Sequence, residues 1–130
     1  MTEKNKDDNN SHSAAEIFWQ AANEGRLLLP RCKESGKCFF YPREYSPFTG
    51  GDIEWLSASG KGEVYSCSVN FRADPLYCIA YIRLQEGPVI MSNILAENPE
   101  ALKTIGPGDK VEVVFKENEE GQAIPYFVPA

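Results

Sequence analysis

Apolar residues along this chain follow two periods, and the switch between them divides it. Ala14, Ile17, Phe18, Ala21 and Ala22 recur at helical spacing, Ser13-Ala-Ala-Glu16 has the form of a capping box, and Gly25 supplies a stop. This pattern predicts an amphipathic helix over about residues 14–24. Trp19 lies beside the main stripe, so the helix has more apolar surface than one narrow face needs. Phe18 and Trp19 are therefore candidates for an aromatic anchor on a partner subunit as well as for core packing. Residues 1–13 contain a single apolar residue, Met1, and read as a disordered tail.

Beyond Gly25 the pattern becomes short and punctuated. Leu27-Leu-Leu29 and Phe39-Phe-Tyr41 flank Cys32-Lys-Glu-Ser-Gly-Lys-Cys38, which predicts a small hairpin around a glycine-bearing knuckle. A second turn follows at Ser46-Pro-Phe-Thr-Gly-Gly51, and Ile53–Leu56 is expected to pair back onto this module. Leu28, Phe39, Phe40, Tyr45 and Trp55 are its candidate packing residues.

From about residue 57 the period is that of strands. Residues 62–71, 77–85, 89–95, 110–116 and 123–128 are the candidates. In the first of them alternation places Tyr65, Cys67, Val69 and Phe71 on one face. Asn98 as N-cap and Pro99 at the first helical position predict a helix over 98–105, ended by Gly106-Pro-Gly108. Three strands, a helix and two strands is the order of an OB-type Greek-key barrel. The expected fold is mainly β: a disordered tail (1–13), a helix (14–25), a ribbon module (26–56) and a five-stranded OB barrel (57–130).

Charge changes this picture locally. Thirteen Lys and Arg against nineteen Asp and Glu give a net charge of −6 over 130 residues. Yet Arg26, Arg31, Lys33, Lys37 and Arg43 face one acid, Glu34, within residues 26–43, so that stretch is cationic inside an acidic chain. An island of this kind suits a local anion rather than a general polyanion. No run of 18 apolar residues exists, and the N-terminus is too polar for a secretory signal. A cytoplasmic protein with its four cysteines reduced, and no membrane partner, is expected.

The chemistry is as informative for what it lacks. Small zinc ribbons use two Cys-x2-Cys knuckles. Here the first reads Cys32-Lys-Glu-Ser35 and the second Ser46-Pro-Phe-Thr49, so hydroxyls stand at three of the four ligand places. One thiolate does not hold zinc against water, and Cys38 is the only nearby substitute, so no metal cofactor is expected. The lone His12 falls in the tail, away from any cysteine it would activate, and no nucleophile elbow, Walker loop or dinucleotide fingerprint is present. Tyr65, Phe71, Tyr77 and Tyr81 could stack nucleic-acid bases, but in residues 57–130 the six basic residues are outnumbered by acids. Packing inside the barrel or at a protein interface is the expected use of these rings.

Taken in order, Phe18-Trp-Gln-Ala-Ala, Leu29-Pro-Arg-Cys-Lys, Phe40-Tyr-Pro-Arg43, Gly60-Lys-Gly-Glu-Val-Tyr-Ser66, Glu86-Gly87, Ile105-Gly-Pro-Gly-Asp-Lys-Val111 and Pro125-Tyr-Phe-Val-Pro129 form a recognisable series. Over about residues 14–130 the chain resembles the acyl-CoA-associated zinc-ribbon/OB-fold proteins of domain-of-unknown-function family 35. The resemblance implies an N-terminal helix, a rubredoxin-like ribbon and an OB barrel. It also implies a non-catalytic subunit that assembles with a thiolase-like enzyme (a thiolase, C-acyltransferase or aldolase) into a hetero-oligomer and helps shape its acyl-CoA channel. Cys32 matches the first zinc ligand, whereas Ser35, Ser46 and Thr49 depart from the other three. CoA phosphates suit guanidinium and ammonium groups, so Arg31, Lys33, Lys37, Tyr41 and Arg43 are the candidate CoA-binding or partner-facing residues. A free-standing OB module for acyl-CoA or single-stranded nucleic acid is the alternative.

Overall fold

A computed structural model describes residues 13–130; the predicted tail, with His12, lies outside the described residues apart from Ser13. Helix α1 (Ala14–Asn23) begins on the expected capping box. The Glu16 amide donates to Ser13 Oγ at 3.1 Å, and the Ser13 amide donates to Glu16 Oε1 at 2.8 Å. The helix ends where Gly25, at φ 75°, lets the Gly25 and Arg26 amides reach back to the Ala22 and Ala21 carbonyls at 2.9 Å each. Its inner face buries Ala14, Phe18, Ala21 and Ala22.

Strand β1 (Leu28–Cys32) pairs antiparallel with β2 (Ile53–Ser57), from Leu28 opposite Ser57 to Cys32 opposite Ile53. The predicted return of Ile53–Leu56 onto the ribbon is therefore correct. The predicted strand at Phe39–Tyr41 does not form. Only one bridge, Arg31 to Cys38, joins that side, with the Cys32 amide on the Lys37 carbonyl and the Phe39 amide on the Pro30 carbonyl. Pro30 has no N–H to return, and beyond Phe39 the rings turn away into an aromatic cluster. Phe40 meets Phe18 with centroids 5.4 Å apart, and Phe18 meets Trp19 edge-on at 5.0 Å. Phe18 is thus spent in the chain's own core, at 1% exposure, which corrects its assignment to a partner interface. Tyr45 is likewise corrected as a packing residue, since it is 63% exposed.

The remaining strands are β3 (Lys61–Asn70), β4 (Tyr77–Leu84), β5 (Val89–Ile94), β6 (Lys110–Glu117) and β7 (Ala123–Pro129). They close into a barrel in the order β3-β4-β5-β7-β6. The seam between β5 and β7 is parallel, through Ile94 and Phe127. The segment between β5 and β6 is a helix as predicted, capped by the Asn98 side chain on the Glu100 amide, but it is a 3-10 turn over Pro99–Thr104. Strand β4 alternates without a break: Cys78, Ala80, Ile82 and Leu84 point in, while Tyr77, Ile79, Tyr81 and Arg83 point out. Val64, Ile90, Ile94, Leu102, Val111 and Phe127 complete the barrel core. Gly62 is required where β3 crosses β4, because a Cβ there would stand 2.7 Å from the Arg83 carbonyl oxygen.

One face assignment is corrected. The β3–β4 register shifts between Val64 and Ser66, a bulge that inserts an extra residue at Tyr65. Val64 therefore points in, Tyr65 (56% exposed) turns outward, and Cys67 and Val69 pack against the core, while Phe71 (62% exposed) lies past the end of β3 in the turn. Helix α1 ties the two modules together. Asn23 Oδ1 accepts from the Ala123 amide at 2.8 Å, and Gln122 Nε2 donates to the Trp19 carbonyl at 3.0 Å. No helix among the described residues is long and apolar enough to cross a membrane.

Candidate functional site

The four ligand-type positions meet at the tip of the ribbon, on two turns built alike. In the first, Cys32 Sγ accepts from the Ser35 amide at 3.4 Å, and the Cys32 carbonyl accepts from the Gly36 amide at 2.8 Å. In the second, Ser46 Oγ accepts from the Phe48 and Thr49 amides at 3.0 and 3.2 Å, and the Ser46 carbonyl accepts from the Gly50 amide at 2.9 Å. Gly36 (φ 74°) and Gly50 (φ 75°) sit at equivalent places, where the turn needs the left-handed region. Cys32 Sγ and Thr49 Oγ1 face each other across the turns at 3.5 Å. The geometry is that of a metal knuckle pair, but the donors do not fit zinc: one thiol stands among three hydroxyls, which are neutral and poor ligands. Among the described residues no three His, Cys, Asp or Glu side chains gather as a metal site. Hydrogen bonds do the joining instead. The Ser35, Ser46 and Thr49 hydroxyls around Cys32 bring its thiol down from 9.0 to about 6, against the opposing effect of burial.

The cationic residues separate. Lys37 and Arg43 line a cleft of about 740 Å³ between the ribbon and the β4–β5 turn, together with Cys38, Phe39, Phe40, Phe48 and Glu86. Lys37 Nζ lies 5.6 Å from the centre of the Phe48 ring, a cation–π contact that orients the ammonium. Arg31 is on β1, where its Nε donates to Glu54 Oε2 at 2.8 Å. Lys33 is exposed on the first turn, its amide bound to the Asp52 carbonyl. Tyr41 is 46% exposed on the other side of Phe40, and its hydroxyl accepts from Trp19 Nε1 at 3.1 Å. Two of the five predicted residues thus share the cleft; the other three stand on the ribbon around it.

Sequence reading missed Glu86 and Phe48 as cleft residues, since both fall in segments that register only as turns. Glu86 has a distinctive environment. Its Oε2 accepts from the Ser59 amide at 2.9 Å, while its Oε1 is buried without a hydrogen-bond partner. Burial, first of all, raises the Cys38 thiol above its ordinary range, with Arg31 lowering it and Glu86 adding to the rise.

A second feature lies on the outer face of the barrel. Ile79, Tyr81 and Met91 are 41%, 48% and 61% exposed, and Tyr81 pairs with Met91 across β4 and β5. Tyr77 continues the row, and on β3 Ser66, Ser68 and Asn70 stand opposite Tyr81, Ile79 and Tyr77. The four rings named as possible base stackers are all on the outside, so packing within the barrel is corrected as their use. Arg72 and Arg83 stand at the two ends of this face, with Arg83 Cζ 4.8 Å from the centre of the Tyr65 ring.

A helix-capped ribbon joined to a closed OB barrel, with a cationic cleft at their junction, defines the class. Comparison with known proteins agrees. Residues 55–116 match the family model described as the ChsH2 C-terminal OB-fold domain. The chain is 34% identical over 105 residues to a DUF35 domain-containing scaffold protein of Methanothermobacter thermautotrophicus, covering 74% of this chain and 77% of the relative. A scaffold protein of the same description from Pyrococcus furiosus is 31% identical over 111 residues, covering 79% of each. Among solved structures, a chain of the Ltp2-ChsH2(DUF35) aldolase superposes with a TM-score of 0.76 and 25% identity, covering 91% of this chain and 95% of that one. The chain belongs to the DUF35 family.

Proposed function

We propose that this chain is a non-catalytic accessory subunit of a thiolase-like acyl-CoA enzyme, a thiolase, C-acyltransferase or aldolase, in a cytoplasmic hetero-oligomer. The observation that carries this reading is the likeness over 91% of the chain to a component of an aldolase assembled from two named proteins, Ltp2 and ChsH2. Relatives described as scaffold proteins support it. In this reading the partner supplies the reacting groups, and this chain completes the complex and helps to bind or channel the CoA thioester. Lys37 and Arg43 take CoA phosphates in the cleft by charge-assisted hydrogen bonds, with Arg31, Lys33 and Tyr41 on the adjoining surface facing ligand or partner. The outer barrel face around Tyr81 and Met91, with the half-buried Trp19 on α1, offers the uncharged aromatic and Met surface that interface cores favour.

Co-expression with a thiolase-fold enzyme of the same genome, followed by gel filtration with light scattering, tests the reading. A stable hetero-complex that gains acyl-transfer, thiolytic or aldol-cleaving activity is expected. Charge reversal by Lys33→Glu with Arg43→Glu should weaken the complex or raise its KM for the thioester. A chain that stays alone beside its enzyme, with activity unchanged by its presence, overturns the proposal.

A further inference from the structure

The ribbon sheet has one closed side and one open side. At the ends of the β1–β2 ladder the Ala58 amide donates to the Leu27 carbonyl at 2.8 Å and the Lys33 amide to the Asp52 carbonyl at 3.1 Å. Hydrogen-bonded pairs alternate along an antiparallel ladder, so Glu54 and Leu56 turn their backbone groups to β1, while Ile53, Trp55 and Ser57 turn theirs away. The far side of β1 is occupied, with the Cys32 amide on the Lys37 carbonyl and the Phe39 amide on the Pro30 carbonyl. The far side of β2 is not: among the described residues no strand or loop backbone pairs with the outward groups of Ile53, Trp55 and Ser57. Proteins ordinarily guard such an edge with Lys, Pro or a bulge. Strand β2 has none of these; its register is unbroken, and its one charge, Glu54, is held by Arg31 at 2.8 Å. Ile53 and Trp55, residue types that favour strands, are only half-buried there.

We infer that this edge pairs with the β2 edge of a second copy of the chain, antiparallel about a two-fold axis at Trp55. The outward row is symmetric about that residue. Trp55 then faces its counterpart, Ile53 faces Ser57, and every outward N–H and C=O meets a partner. Glu54 falls opposite Leu56, so no like charges stand directly across, and the two Trp55 rings form a cross-strand aromatic pair. A two-fold contact of this kind closes on itself and leaves no β2 edge free to recruit further chains. It also answers a local need. A two-stranded sheet is marginal alone, and the hydroxyls on these knuckles are poor ligands for a metal that would brace it. Pairing makes one four-stranded sheet from two ribbons. The inference stands apart from the CoA reading, since neither the cleft of Lys37 and Arg43 nor the outer barrel face takes part.

Light scattering of the full chain over a dilution series should show a dimer that dissociates as concentration falls. Residue-resolved hydrogen exchange at both ends of the series locates the contact. The amides of Ile53, Trp55 and Ser57 should lose their protection on dilution, whereas those of Glu54 and Leu56, already bonded to β1, should keep theirs. Cysteine cross-linking then reads the register. Trp55→Cys brings one thiol from each copy within disulfide reach across the two-fold axis, and mild oxidation should link the chains where wild type stays unlinked. Ile53→Cys alone should not link, because it faces Ser57; combining it with Ser57→Cys should, and this pair keeps Trp55 in place. A chain of monomer mass throughout the series overturns the proposal, as does a dimer whose exchange and cross-links spare β2. Protection of the three outward amides that appears only on adding an enzyme partner places a segment of that enzyme on the edge and overturns it equally.

Discussion

The ribbon and the barrel reach definite shapes by opposite means. The barrel is held by apolar side chains at strict alternation, with Cys78, Ala80, Ile82 and Leu84 at 1% exposure or less along β4 alone. The ribbon has a two-stranded sheet, two glycine-dependent turns and a buried polar centre where Cys32 and Ser46 gather amides and hydroxyls. Burial of apolar area scales with the number of side chains packed, whereas a small polar knot depends on every member. The barrel should therefore absorb single changes on its surface, and the ribbon should respond to single hydroxyls.

The largest test restores the metal chemistry. Combining Ser35→Cys, Ser46→Cys and Thr49→Cys with the native Cys32 places four thiols on the two knuckles, and the variant should bind one equivalent of zinc. Structural zinc in small peptides contributes about 10–16 kcal/mol of apparent binding energy, so metal analysis and a chelator-sensitive melt should show it clearly. Four thiols that hold no zinc would show that these turns are not knuckle-like.

Next in size is a pair of deletions. Phe127→Ala empties the barrel's centre, where Phe127 is wholly buried, and should cost about 3–5 kcal/mol in denaturant unfolding. Ser46→Ala removes the acceptor of the Phe48 and Thr49 amides and should cost about 1–3 kcal/mol. Hydrogen exchange should then quicken at residues 46–50 while the barrel strands keep their protection. Equal exchange in both modules would dissolve the contrast between them.

The smallest expected effect is a pH dependence. Cys32 is a thiolate above about pH 6 in the folded chain and above about 9 when unfolded. Between those values the unfolded state binds the additional proton, so stability rises with pH across this window and the contribution is lost as pH falls through about 6. Thiolate absorbance near 240 nm should titrate with a midpoint close to 6, and Cys32→Ser should flatten the pH profile. A midpoint near 9 would mean that the three hydroxyls do not stabilise the anion.

The same contrast explains what was legible beforehand. Alternation and turn residues located all five barrel strands, and the capping box located α1, because these are local signals. The bulge at Tyr65 is not local: it is set by how β3 meets β4, and it sends Tyr65 outward against the simple two-residue period. The hairpin partner expected at Phe39–Tyr41 fails for a similar reason. Phe39-Phe-Tyr41 has the composition of a strand, but tertiary packing draws Phe40 onto Phe18, and β2 takes the position beside β1. Of the candidate site, the charge cluster marked the right end of the molecule. Glu86 comes from a turn more than forty residues further along, and only the fold brings it opposite Lys37 and Arg43.

The hydroxyl-filled knuckles bear on where and when such a chain can be made. A four-thiolate cluster ties folding to the supply of a scarce ion and offers oxidants four nucleophilic sulfurs. A ribbon closed by serine and threonine folds on synthesis with no ion to wait for, and exposes no comparable cluster to peroxide. Of the four ligand positions only Cys32 keeps a sulfur, so closing the ribbon asks for hydroxyl hydrogen bonds where a zinc knuckle asks for metal.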